Sequence, residues 1–255
     1  MLNRYFIYIS YNGTRYCGWQ NQPNGLSVQQ CIEEALSVLY QQPVPIVGAG
    51  RTDAGVHARQ MVAHFDWEDH IDDLALLADK LNSLLPYDIA IERIVRVTKD
   101  AHARFDALSR TYKYFITDCK NPFNDEWVCR MSCKGIDFTL MNKACEILVE
   151  YTDFSSFSKS HTDVKTNICH IDYARWEQEG GMWVFTIRAD RFLRNMVRAI
   201  VGTLFEVGRG KCSLTDFRQV IESKDRCRAG TSVPAKGLSL VEITYPEELF
   251  LIFLR

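Results

Sequence analysis

The chain's hydrophobic and polar positions recur with two periods, and the switches between them outline its elements. Residues 4–11 alternate aromatic and aliphatic side chains and stop at the turn pair Asn12-Gly13, the pattern of a strand. A capping pair, Ser27 with Gln30, then opens a helix whose Val28, Ile32, Ala35 and Leu39 recur at helical spacing. Strands are expected over 46–49 and 61–66, a helix over 71–82 that stops before Pro86, and a strand over 89–97. The order then repeats with a strand over 108–117, a helix over 138–150, and a hairpin of 168–176 with 182–188 turned by Gly180-Gly181. Helices over 192–207 and 214–222, the second capped by Ser213, lead to a last strand over 238–245.

Both halves thus read as β-α-β-β-α-β, the ferredoxin-like split unit. The fold expected is α+β: two related ferredoxin-like halves, with antiparallel sheets flanking a central catalytic cleft. The join falls near 99–107, which gives an N-terminal domain over 1–105 and a C-terminal domain over 106–255. An insertion over 119–135 and a loop over 152–166 break the symmetry of the second half.

Composition narrows the class. With 255 residues, 47% hydrophobic and 24% charged, the chain can bury a sizeable core, which argues against disorder, collagen and coiled coil. No uncharged apolar run approaches the roughly 18 residues of a membrane span, and the first residues lack an export pattern, so a cytoplasmic protein without a membrane partner is expected. Nine scattered cysteines without a CxxC pair point to reduced, mostly buried thiols rather than a disulfide framework or structural zinc. His57 and His64 form no HExxH pattern, and no metal is expected. The net charge of -2 means that a nucleic-acid binder must concentrate its positive charge locally. Residues 188–211 do so, with six cations against Asp190 and Glu206.

The most unusual stretch is 48–58, GAGRTDAGVHA, a polar loop with three glycines between two apolar strands. Its single acid, Asp53, has a plain reading as a turn cap. It also has a chemical one, as a covalent nucleophile toward a sugar anomeric carbon, provided that it is ionised and held beside a cation. Arg51 lies in the same loop. On the helix expected from 192, a turn of about 100° per residue puts Arg191, Arg194, Asn195, Arg198 and Gly202 on one arc, with Phe192, Met196, Ile200, Thr203, Leu204 and Val207 opposite. The polar stripe holds no acid, unlike an ordinary solvated face, and Gly202 marks a place where a backbone or ligand can come close. Strand alternation places Arg110, Tyr112 and Tyr114 together, able to stack an unpaired base and hold its phosphates, or simply to build a core.

Taken together, YNGTRYCGWQ (11–20), GRTDAGVHA (50–58), HARF (102–105), RTYKY (110–114), DFSSF (153–157), FLRNMVRAIVG (192–202) and GLSLVEITYP (237–246) resemble, in order, segments of the tRNA pseudouridine synthase A family. The resemblance covers nearly the whole chain. It implies isomerisation of uridine to pseudouridine at positions 38, 39 and 40 of the tRNA anticodon arm, by a homodimer with no cofactor. Asp53 matches the family's nucleophilic aspartate, Tyr112 its active-site tyrosine and Arg198 the basic residue paired with the aspartate. Arg51 and Arg104 fall in matching motifs, and Arg194 lies in a matching segment as well as in the stripe. All five of these partners of Asp53 are expected to bind substrate. Arg191 rests on the stripe alone. Whether Asp53 attacks C1′ or ring carbon C6, or leaves to give a glycal, stays open at this level. Two other classes would use some of the same residues. A noncatalytic RNA binder has no need of Asp53 in a glycine loop, and a glycoside or nucleoside hydrolase needs a second carboxylate that no nearby motif supplies.

Overall fold

The structure, a computed structural model, describes residues 2–159 and 166–251. Part of the expected 152–166 loop, at 160–165, lies outside the described residues. The architecture is mixed α/β, with a multi-stranded sheet and, among the described residues, five α-helices. None of those helices is long and apolar enough to cross a membrane. The chain divides into two compact units, Met1–Leu108 with Leu240–Arg255, and Ser109–Ser239.

In the first unit, β1 (Asn3–Tyr11) lies antiparallel between β3 (His57–Trp67) and β4 (Ile89–Val97), and the short β2 (Val47–Gly48) pairs with β3. Because both edges of β1 are paired, Tyr5, Phe6, Ile7 and Ile9 are fully buried, and the strand reads as a continuous apolar run. Helix α1 (Val28–Tyr40) begins where Ser27 Oγ accepts the Gln30 N–H at 3.0 Å. Gln30 itself reaches Glu34 instead of turning back, so only half of the expected capping box forms. Helix α2 (Leu74–Leu84) starts three residues later than 71, since the Asp73 carboxylate caps it through the Leu76 N–H at 2.8 Å.

The C-terminal segment groups with this first unit, a correction to the 106–255 domain. The physical cause is a set of long-range bonds from β9 (Leu238–Thr244) and the residues after it. The Ile243 N–H donates to Gln60 Oε1 at 2.7 Å, Leu108 N–H to the Thr244 carbonyl at 2.9 Å, Thr98 N–H to the Leu249 carbonyl at 2.9 Å, and the Tyr245 hydroxyl to the Ala103 carbonyl at 2.6 Å.

In the second unit, β5 (Ser109–Thr117) and β7 (Ile171–Glu179) flank β8 (Met182–Ala189) in antiparallel register, while β6 (Cys129–Arg130) runs parallel beside β5. Gly180 and Gly181 turn the β7–β8 hairpin with φ of 57° and 78°. Helix α3 (Phe138–Leu148) packs on β7 and on α4 (Met196–Gly208), and α5 (Leu214–Glu222) carries a complete capping box between Ser213 and Asp216. Trp176, 1% exposed, sits among Phe138, Phe185 and Phe205 at centroid distances of 5.3–5.5 Å. Removing such a ring costs about 3–5 kcal/mol.

Helix α4 begins at Met196, four residues later than expected. Asn195 adopts φ 65°, a left-handed conformation that no α-helix continues through, and its Nδ2 donates to Ser232 Oγ at 2.6 Å. Eleven of the helix's residues, from Met196 to Gly208, are buried, so it has an apolar surround with Arg198 as the partly exposed exception near its start.

Candidate active site

Asp53 sits, half-buried, in the loop that joins β2 to β3. Its main-chain carbonyl accepts the Val56 N–H at 3.1 Å, which closes a turn over Ala54 and Gly55, the latter at φ 77°. Segment 11–19 fastens the loop on both sides. Ahead of Asp53, the Tyr11 hydroxyl and Thr52 Oγ1 share a hydrogen bond of 2.8 Å, and the Trp19 N–H donates to the Thr52 carbonyl at 3.3 Å. Behind it, the Gly55 N–H donates to the Tyr16 carbonyl at 3.4 Å, and the Gly13 N–H donates to His57 Nδ1 at 3.1 Å.

Close backbone approach makes this possible. A Cβ on Gly13 would stand 2.7 Å from the Val56 carbonyl carbon, and one on Gly18 would press on the Thr52 carbonyl oxygen. Gly48 lies against the Trp19 indole, whereas a Cβ on Gly50 would meet nothing within 4 Å. These holders were missed in the sequence. Apart from the family resemblance of 11–20, Asn12-Gly13 reads there only as a strand end, although two glycines within six residues beside Tyr16 and Trp19 are the available signal. His57, which lacks a metal motif, proves to be a hydrogen-bond acceptor in this clasp.

The other first-unit candidates are exposed. Arg51 lies two residues before Asp53, and Arg104 rides at 5.7 Å over the ring of Phe105, itself 74% exposed. The HARF turn is anchored from below: His64 Nδ1 accepts the Ala103 N–H at 3.1 Å, and Arg4 donates to the Ala101 carbonyl at 2.9 Å while pairing with Asp66. Burial, with Arg4 and His102 adding to it, lowers the His64 pKa to about 4, so this ring is a neutral acceptor.

The second unit holds Tyr112, Arg194 and Arg198. Tyr112, on β5, is partly exposed and meets Phe192 edge to face at 5.1 Å. Arg198 Nε donates to the Val233 carbonyl at 2.7 Å, and the Val233 N–H returns to the Arg198 carbonyl at 3.2 Å, which orients the guanidinium. Tyr114, open in the sequence between a base-stacking face and core, is fully buried and donates to the Pro234 carbonyl at 3.0 Å. A Cβ on Gly237 would stand 2.7 Å from its ring, so Tyr114 is core.

The continuous arginine stripe does not form. Arg191, Arg194 and Asn195 precede the helix, in a turn organised by Asp190 and by the Lys159 N–H bonding to the Arg194 carbonyl. Arg110 donates to the Asp190 carbonyl at 2.6 Å. Part of the local charge excess is also neutralised, since Arg188 pairs with Asp172 and Arg209 with Glu206. Gly202 marks a close approach as expected, and the approaching group is the backbone of Thr231.

All nine cysteines are free, but only Cys31, Cys129, Cys145 and Cys169 are buried, fewer than expected. Among the described residues, no group of three or more His, Cys, Asp or Glu side chains could hold a metal ion.

A mixed α/β chain with a carboxylate clasped in a glycine loop fits the class of the tRNA pseudouridine synthases, whose family model matches residues 7–106 and 144–246. Proteins named tRNA pseudouridine synthase A are similar over nearly their full length. That of Parabacteroides distasonis is 66% identical over 249 residues, 98% of each chain, and that of Bacteroides thetaiotaomicron is 60% identical over 252 residues, 98% of this chain and 93% of its own. A more distant one, from a Geobacter species, is 41% identical over 244 residues, 94% of this chain and 98% of its own. The chain belongs to the tRNA pseudouridine synthase A family.

Proposed function

We propose that this chain isomerises uridine at positions 38, 39 and 40 of the tRNA anticodon arm, with Asp53 as the nucleophile. The observation that carries the reading is the clasped loop: a half-buried carboxylate whose flanking backbone is engaged on both sides by segment 11–19. The reaction breaks the N1–C1′ bond, turns the uracil and joins C5 to C1′, with loss of the C5 proton and its replacement at N1. Atoms balance without a cofactor. The target base first leaves its stack at a cost of a few kcal/mol. Tyr112 then stacks on the uracil and its phenol takes part in removing the C5 proton, while Arg198 supplies positive charge for the reaction. Arg51, Arg104 and Arg194 bind the RNA backbone.

In this reading each half is ferredoxin-like. The order β4-β1-β3-β2 in the first unit, and β5-β8-β7 with α3 between β5 and β7 in sequence, support it. A homodimer acting in the cytoplasm completes the proposal, because a second copy gives one tRNA a resting surface and an active site on different subunits. The test is nucleoside analysis of unmodified tRNA. Wild type should yield an isomer of unchanged mass and no released base. Asp53→Asn should yield no product while binding tRNA within a few fold of wild type, because it removes the nucleophile and none of the cations that bind phosphate. Comparable turnover in Asp53→Asn would overturn the assignment.

A further inference from the structure

The segment that clasps the Asp53 loop is itself fastened from behind. Arg15 Nε donates to Asp88 Oδ2 at 2.6 Å, the Tyr16 hydroxyl donates to Asp88 Oδ1 at 2.6 Å, and the Asn12 N–H donates to the Asp88 main-chain oxygen at 2.9 Å. Asp88 immediately precedes β4, and its side chain is only 5% exposed. Burial pushes a carboxyl upward, but the hydrogen bonds from Arg15 and Tyr16 outweigh it and hold Asp88 below the usual carboxylate range. The Tyr16 phenol is pushed up correspondingly, by burial and by this bond, and stays protonated as the donor. Arg15 is steadied further by lying 4.7 Å over the Tyr87 ring.

What Asp88 holds is the segment that brackets Asp53. Tyr16 gives its hydroxyl to Asp88 and its carbonyl to the Gly55 N–H, and Asn12, bonded to the Asp88 backbone, adjoins Gly13, whose N–H meets His57. We propose that Asp88 is a positioning residue for the reaction: its carboxylate fixes segment 12–16, which in turn fixes the loop on the C-terminal side of Asp53. The inference rests on the reading of Asp53 as nucleophile. It assigns Asp88 no contact with RNA, so its loss should appear in the chemical step rather than in binding.

The experiment is single-turnover kinetics at saturating tRNA, with affinity measured in parallel. Asp88→Ala should slow the chemical step by about 10- to 100-fold, as a loop displacement approaching 1 Å does, with tRNA affinity within about threefold. Asp88→Asn keeps an acceptor for the Tyr16 hydroxyl and should recover to within about threefold of wild type, while Tyr16→Phe should lose at least about threefold. Hydrogen exchange across 52–57 should accelerate in Asp88→Ala. Asn82→Ala serves as the stability control, because Asn82 ties α2 to β4 through Ile91 and has no bond to the clasp. It should lower Tm with the rate unchanged. A folded Asp88→Ala with wild-type rate, or an equal loss of rate in Asn82→Ala, overturns the inference. If Asp88→Ala does not fold, an unchanged rate in Tyr16→Phe does the same. Turnover by Asp53→Asn would instead remove the nucleophile reading and this inference with it, so the two failures are distinguishable.

Discussion

Replacing Gly18 with alanine perturbs the clasp at a close backbone contact without touching a charged group. Gly18 has φ 96°, where a Cβ costs about 1–2 kcal/mol. The added methyl would also press on the Thr52 carbonyl oxygen and stand 3.2 Å from the Asp53 carbonyl carbon and 3.3 Å from the Ala54 nitrogen. All three are backbone atoms, so no side-chain rotation relieves the contact, and the loop must retreat by about 1 Å to regain ordinary van der Waals separation. Overpacking of this kind costs about 1–3 kcal/mol. Together the two effects amount to about 2–5 kcal/mol, a fall in Tm of about 5–15 °C for a chain of this size. The larger consequence is kinetic: an error of about 1 Å in the placement of a reacting group costs about 100-fold in rate. Gly135→Ala is the matched comparison, since Gly135 has φ 77° but its Cβ would meet nothing within 4 Å. It should lose stability and keep its rate. Single-turnover release of tritium from C5-labelled uridine in tRNA, measured below the Tm of each variant, reads the chemistry directly. A folded Gly18→Ala enzyme working at the wild-type rate would refute the claim that packing of segment 11–19 sets the position of Asp53.

The remaining predictions address the other candidate residues. Tyr112→Phe keeps the edge-to-face contact with Phe192 and loses the hydroxyl, so the rate should fall at least tenfold, on the order of a lost proton-transfer group, with affinity retained; full activity would deny the phenol a chemical role. Arg194→Ala should flatten the salt dependence of tRNA affinity by about one unit of log-log slope per lost phosphate contact, whereas Arg198→Ala should lose mainly turnover; an unchanged slope in Arg194→Ala rejects it as an RNA contact. The His64 pKa falls from the usual 6.5 to about 4, chiefly through burial. Between those values the unfolded chain holds a proton that the folded chain does not, so stability declines as pH drops from 6.5 toward 4, by up to about 3 kcal/mol from this group. His64→Asn retains an acceptor for the Ala103 N–H and should flatten that part of the urea-unfolding profile, and an acid limb as steep as wild type's would show that His64 is not its source.

Most elements were legible because their signals are local. The strands at 89–97 and 182–188 are rich in β-branched and aromatic residues, and Gly180-Gly181 and Ser213 mark a hairpin and a helix start by their own chemistry. The failures share a cause in tertiary partners. Helical periodicity through 192–195 is real in the sequence, yet Asn195 turns left-handed to reach Ser232, and a helical wheel drawn across it puts Arg191 and Arg194 on a face that does not exist. Tyr114 alternates with Tyr112 on β5 as a strand requires, but the Pro234 carbonyl and Gly237 bury it, and neither can be paired with it from sequence spacing.

The candidate site shows the same division more sharply. Asp53 is conspicuous in the sequence because an acid between glycines is unusual, and composition alone leaves it as either a turn residue or a nucleophile. What separates the two is whether the flanking backbone is free to move, and the groups that decide this lie far away in the chain. Gly13 and His57 are 44 residues apart, Tyr11 and Thr52 are 41, and Tyr16 and Asp88 are 72. A turn that served only to connect β2 to β3 would need no such support, since its own Asp53–Val56 bond closes it. Bonds from segment 11–19 on both sides of Asp53, on a segment anchored in turn to a buried carboxylate, restrain the loop more than a connection requires. The nucleophilic role proposed for Asp53 would require that restraint, because the carboxylate would have to meet the sugar or ring carbon within a few tenths of an ångström. Loosening either layer of the support should therefore cost rate well before it costs the fold.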